Sequence, residues 1–196
     1  LNTTGGQNVA IGRHALQANT TASYNTAVGS CALFANTTGG NNTAVGYTAL
    51  QKNTTGGNNT ASGYEALREN TTGNFNSGFG MLALRLTTSG SYNASVGYAA
   101  LTTNTTGAHN TAMGYASMNK NSTAGCNTAV GSCALYANTT AIDNTAVGAH
   151  ALAAVTTGVY NTALGTKSLL TNTGSRNTAL GSHVLESNTT GGMNTS

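Results

Sequence analysis

The stretch NTAVGSCALFANTTGGN, residues 25–41, is followed at once by NTAVGYTALQKNTTGGN, residues 42–58, and returns as NTAVGSCALYANTTAID at 127–143. Aligned on its first Asn, the whole chain falls into this register. An Asn recurs every seventeen residues from Asn8 to Asn161 and then after sixteen at Asn177, which makes eleven complete units. The consensus is NTAVGxxALxxNTTGxx. Gly holds the fifth place in every unit, from Gly12 to Gly181, and Leu holds the ninth in all but one, where Met118 keeps the apolar volume. A fixed period of this length identifies a solenoid-type array, in which each unit is one coil.

Seventeen residues are too few for a helix-turn-helix repeat, and each apolar piece is only four or five residues long. The pieces TAVG and xALx, separated by Gly and by NTTG, predict two short strands and two turns per coil. Coils then stack at the inter-strand spacing of about 4.8 Å, and every side chain lies above its counterpart one coil earlier. An amide side chain both donates and accepts, so a column of Asn becomes a hydrogen-bonded ladder. Two such columns are expected. One runs through Asn25 and Asn42, and the other, through Asn36 and Asn53, is placed at the opposite turn. Thr87 and Val155 interrupt the second. The sixteen-residue tenth unit, with NTGSR at 172–176, is expected to tighten one turn without shifting the strands.

Neighbouring residues of a strand face opposite ways, so Ala27 and Val28 cannot share a core, nor can Ala32 and Leu33. Two assignments follow. Val and Leu fill the roll and Ala lies outside, or Ala lines a narrow roll and Val and Leu face out. Both leave an apolar stripe eleven coils long on the surface, more than a soluble monomer usually exposes, and so imply self-association.

Composition narrows the partners. Charged residues make up only 6% of the chain and Pro and Trp are absent, so Asn, Thr, Ser and Gly carry the polar surface. The net charge of +3 is scattered, with no basic cluster to follow a nucleic-acid backbone. No apolar run is long enough for membrane insertion. The three cysteines are too few and too irregular for a disulfide framework or paired metal ligands.

The units NVAIGRHAL (8–16) and NTAVGYTAL (42–50) resemble the repeats in the heads of trimeric autotransporter adhesins. The full seventeen-residue form is similar to repeats of phage tail-fibre and bacterial fibre proteins, which often end in an endosialidase-type chaperone domain. This resemblance covers essentially all of residues 1–196. It implies parallel β-rolls assembled as a homotrimer into a rod that holds a receptor-binding tip away from a virion or cell, with the host or cell-surface receptor met by regions outside this segment. The added NTTG turn departs from the adhesin heads.

Residues able to do chemistry are few. Glu65 and Glu69 could form an acid/base pair, but Arg68 between them and Arg85 one coil on suggest charge compensation instead. His14, His150 and His183 share the seventh place with Cys31 and Cys133, and in a trimer three symmetry-related imidazoles could meet at the axis. No second His stands beside any of them, which favours a plain surface column. The NTT triplets are formal N-glycosylation acceptors, yet a ladder of Asn and Thr produces them as a by-product. Rows of Thr headed by Thr20 and Thr37 raise ice binding. The fifth unit, NSGFGMLALRLTTSGSY (76–92), departs most from the consensus and marks either a contact with another chain or a relaxed repeat.

The expectation is therefore an all-β parallel β-roll or β-solenoid of about eleven coils. It forms one repeat array over 1–196, with full units from Asn8 to Met193 and partial units at both ends, as a segment of a longer extracellular or virion fibre protein. It is expected to be no enzyme, with no catalytic, cofactor-binding or metal-ligating residues. The alternatives are an ice-binding or glycan-binding solenoid surface, or a filament assembled end to end.

Overall fold

The computed structural model describes residues 2–196 as a parallel β-solenoid with one strand per coil. The strands run from β1 (Val9–Ile11) to β11 (Thr178–Leu180), each three residues long, and pair in sequence order into a single eleven-stranded parallel sheet. Register is strict: Thr26 pairs with Thr43, Ala27 with Ala44 and Val28 with Val45. Across the sixteen-residue unit Thr162 still pairs with Thr178 and Leu164 with Leu180, so the deletion is absorbed in the turn as expected.

The segment expected to form the second strand does not. In its place lie two successive turns, closed by Ala32 N–H donating to Gly29 C=O at 3.3 Å and Asn36 N–H donating to Leu33 C=O at 3.2 Å. Cys31 and Leu33 have φ of 58° and 49°, in the left-handed region. Strand alternation holds only for extended backbone, and a left-handed residue cancels it. Ala32 and Leu33 consequently both face inward.

That corrects both assignments of the apolar faces. Ala27, Ala32 and Leu33 are all fully buried, as are their counterparts Ala44, Ala49 and Leu50. Val28 is half-exposed, and its column faces out. In the consensus coil the lumen is thus packed by one Leu and two Ala, and each Leu contributes about 1.5–3 kcal/mol of burial.

The turns are as tightly coupled between coils as the strands. Leu33 N–H donates to Ala49 C=O at 3.0 Å, Ala35 N–H to Gln51 C=O at 2.9 Å, and Cys31 N–H back to Arg13 C=O at 2.9 Å. The backbone therefore pairs with both neighbouring coils around much of the circumference, which satisfies groups that a loop would otherwise leave to water.

Both Asn columns face inward, and they do not lie at opposite turns. Asn25 Nδ2 and Asn36 Nδ2 donate to the same acceptor, Gly39 C=O, at 3.0 and 2.9 Å. Asn25 Oδ1 accepts the backbone N–H of Asn42 at 2.9 Å, while Asn36 Oδ1 accepts from Asn53 Nδ2 at 2.8 Å. One column therefore laces side chain to backbone and the other side chain to side chain. Burial of Asn36, Asn53, Asn70, Asn104 and Asn138 also closes these NTT amides to glycosylation in the folded array.

Candidate interaction face

With the central residue of strands β2 to β11 buried, Ala in most of them, period-two alternation drives its two neighbours outward. The second place supplies a row of hydroxyls, including Thr26, Thr43, Thr60, Thr111 and Thr128, and the fourth an aliphatic row. Val45 is 40% exposed, Val96 41% and Leu164 49%. Adjacent members of a row are about 4.8 Å apart, and the rows are about 6.6 Å apart, two residues of strand rise. No Lys, Arg, Asp or Glu occupies either row along eleven coils.

Beside the aliphatic row, the sixth place widens the apolar strip in the middle of the array. Tyr47 stacks on Tyr64 at 5.4 Å between ring centroids, and Tyr98 on Tyr115 at 5.4 Å, with Met81 between the two pairs. All five side chains are exposed. A second aromatic column at the seventeenth place stacks Phe75, Tyr92 and His109 at 5.0 and 4.9 Å. Stacked rings of this kind show their edges to solvent, and only the outermost ring of a stack has a free face.

Charge is concentrated instead at the turns. Glu65 accepts from Arg85 Nε at 2.6 Å and lies 3.1 Å from Arg68, while Glu69 meets Arg68 at 2.6 Å and Lys52 at 2.6 Å. Burial pushes both carboxyls up, but the hydrogen bonds from Arg85 to Glu65 and from Lys52 and Arg68 to Glu69, with the cationic charges, outweigh it and hold both below the ordinary range. The Glu65 charge in turn raises the neighbouring Tyr64 phenol. The stacked coils thus bring together the Glu65 and Glu69 pair, and each carboxylate is engaged by two cations. Both are weaker bases than an unpaired carboxylate.

The other sequence candidates stay apart. His150 and His183 stand two coils apart in the seventh-place column, and His183 Nδ1 lies 2.6 Å from Glu186 Oε2 in an exposed pair. Cys31, Cys126 and Cys133 are free thiols. Among the described residues no group of three His, Cys, Asp or Glu side chains is placed to hold a metal ion. The row headed by Thr20 and Thr37 is not available to ice, because each hydroxyl donates to the next coil's carbonyl at 3.1 Å.

The Thr row of the sheet is carried by the NTA triplets and not by the NTT triplets of the turn. Its signal was present. Once Ala of TAV is placed inside, Thr and Val must both be outside. Comparison with protein-family models, with curated proteins and with solved structures finds no match to this chain.

Proposed function

We propose that the array is the shaft or head of an extracellular or virion fibre, a homotrimeric rod that contributes to adhesion or host attachment by length and stiffness. The observation that carries this reading is the uncharged outer sheet face, whose row from Ile11 to Leu180 is aliphatic in all coils but those of Ser62, Phe79 and Met113. A symmetric assembly brings identical residues together at its axis, so charge there would repel itself. A face without ionisable side chains suits a second and third copy of itself. Eleven coils make it roughly 50 Å long, and three strand residues with the sixth-place row make it about 15 Å wide. That gives several hundred Å² per chain, within reach of the ~800 Å² that each partner buries in a standard interface.

Sedimentation equilibrium tests the reading. Three chains per particle is the expected result, and Val130→Lys with Val147→Lys should yield folded monomers with unchanged circular dichroism. A wild-type chain that stays monomeric at all concentrations would rule the trimer out.

The second-place Thr row favours one other use of the same face. A flat sheet with regularly spaced hydroxyl and methyl groups can order water, which makes ice a competing ligand. Thermal hysteresis of the wild-type chain that Thr128→Tyr and Thr145→Tyr abolish would move the assignment to ice binding.

A further inference from the structure

Within the aliphatic row two adjacent coils break the pattern in opposite senses. In β4 (Thr60–Ser62) the fourth place is Ser62, the smallest side chain of the row, and in β5 (Ser77–Phe79) it is Phe79, the largest. The two pair directly in the sheet register. A serine and a phenylalanine together fill about the space of two valines, so the row as a whole keeps its volume while acquiring a notch and a knob. Phe79 is 43% exposed, and Val45 and Val96 on either side of the pair are 40% and 41% exposed.

We infer that Ser62 and Phe79 form a register key for association of this chain with parallel copies of itself. This rests on the self-association proposed above. In a parallel assembly each coil meets its own counterparts, so the Phe79 rings gather in one layer above a layer of Ser62. The rings lean into the space that the serines leave. A slip by one coil sets one chain's Phe79 against the partner's Ser62, but it sets the other Phe79 against Val96 and the other Ser62 against Val45, so one ring loses its notch and the key discriminates against slipped registers that a perfectly uniform row would tolerate. Uniform repeats need such a mark, because the other nine coils offer only Ile, Val, Leu or Met in this row.

The key is tested by a double-mutant cycle on association. Phe79→Val leaves a void and Ser62→Val overfills the layer, so each single variant should raise the half-dissociation concentration about tenfold. The double variant restores a plain valine row and should return to within about threefold of wild type. Both positions lie on the outer face, so monomer folding, followed by circular dichroism, should not change. Orientation is read separately in a background with Cys31, Cys126 and Cys133 changed to Ser. There Phe79→Cys alone should cross-link.

Three outcomes would overturn the inference. Single variants that associate like wild type, or a double variant whose loss equals the sum of the two, would leave trimerisation standing and remove the key. Cross-linking only between Ser62→Cys and Phe79→Cys chains would show a one-coil slip or an antiparallel pairing and remove it as well. A monomeric wild type would overturn the key together with the assembly on which it rests.

Discussion

Thr87 offers the sharpest test of the inner ladder. In a regular coil the second-column amide donates downward and accepts from above, as Asn53 Nδ2 does to Asn36 Oδ1 at 2.8 Å and Asn70 Nδ2 to Asn53 Oδ1 at 2.7 Å. Above Asn70 stands Thr87, and Asn70 Oδ1 is buried with no hydrogen-bond partner. Asn104 Nδ2 reaches Thr87 Oγ1 only at 3.5 Å, at the weak limit of such bonds. The backbone is already right for an amide, since Thr87 N–H donates to Leu84 C=O at 3.1 Å, the same length as Asn70 to Leu67. Thr87→Asn should therefore supply a donor to Asn70 Oδ1, a second donor to Gly90 C=O, and a better acceptor for Asn104. Relieving one orphaned buried acceptor is worth about 1–3 kcal/mol. For a chain of this size each kcal/mol raises Tm by about 2–4 °C, so thermal unfolding followed by circular dichroism should shift up by several degrees. Val155→Asn is the internal control. Asn138 Oδ1 already accepts from Ala141 N–H at 3.2 Å, so that variant regains less while giving up a fully buried Val. If Thr87→Asn lowers Tm, or matches Val155→Asn, side-chain ladders are not what holds successive coils together.

Three further outcomes follow from the same geometry. A Cβ added at Gly131, where φ is 132°, would lie 2.6 Å from the backbone carbon and oxygen of Gly148, so Gly131→Ala should cost about 3 kcal/mol in denaturant unfolding. Thr48 combines a β-branched side chain at φ 52° with a buried hydroxyl that has no partner. Thr48→Gly should thus stabilise the chain by about 1 kcal/mol in the same assay, even after the added entropy of an unfolded glycine. Because Glu65 and Glu69 titrate below their ordinary value of 4.5 when folded, their contribution is present above that pH and is lost as pH falls through their lowered values. An acid-unfolding series should show a correspondingly smaller loss in a Glu65→Gln, Glu69→Gln double variant.

The register of the array was legible from the columns because in-register stacking leaves no freedom between like residues. Asn25 above Asn8 and Gly29 above Gly12 are direct consequences of a parallel sheet. The ion network of Glu65, Arg68, Glu69 and Arg85 was legible for the same reason, since a shift of seventeen becomes a spatial contact. What failed was local geometry. Alternation holds for extended backbone and sets one of Ala32 and Leu33 outside, whereas the left-handed φ of Leu33 turns both inward. Two adjacent, nearly invariant apolar columns are better read as a turn that buries both, because no strand can do so in a single thin roll. The same misplaced strand put Asn36 at a turn opposite Asn25, whereas the double bend of residues 29–36 brings both amides to Gly39 C=O.

The cost of that bend explains why Leu is so faithfully kept where Gly would seem easier. A left-handed conformation disfavours a non-glycine residue by about 1–2 kcal/mol, and Leu33, Leu50 and Leu67 adopt it at φ of 49°, 50° and 51°. Full burial of a Leu side chain offsets this with about 1.5–3 kcal/mol. Glycine at the ninth place would remove the strain together with the largest side chain that each coil puts into the lumen. At the fifth place the balance reverses, because the next coil's backbone lies where a Cβ would go and no burial can offset that contact. The two columns are therefore kept for opposite reasons, one because a large side chain must be present and the other because none can be. Each coil draws its ladder donors and its carbonyl partners from the coils on either side. Stability is then a sum of neighbour terms. Coils at an end, where Ile11 is 60% and Leu180 57% exposed, must open before those at the centre, where Val45 and Val96 are near 40%. Amide exchange should accordingly slow from both ends toward the middle, and a uniform exchange rate along the array would show that the coils unfold as one block.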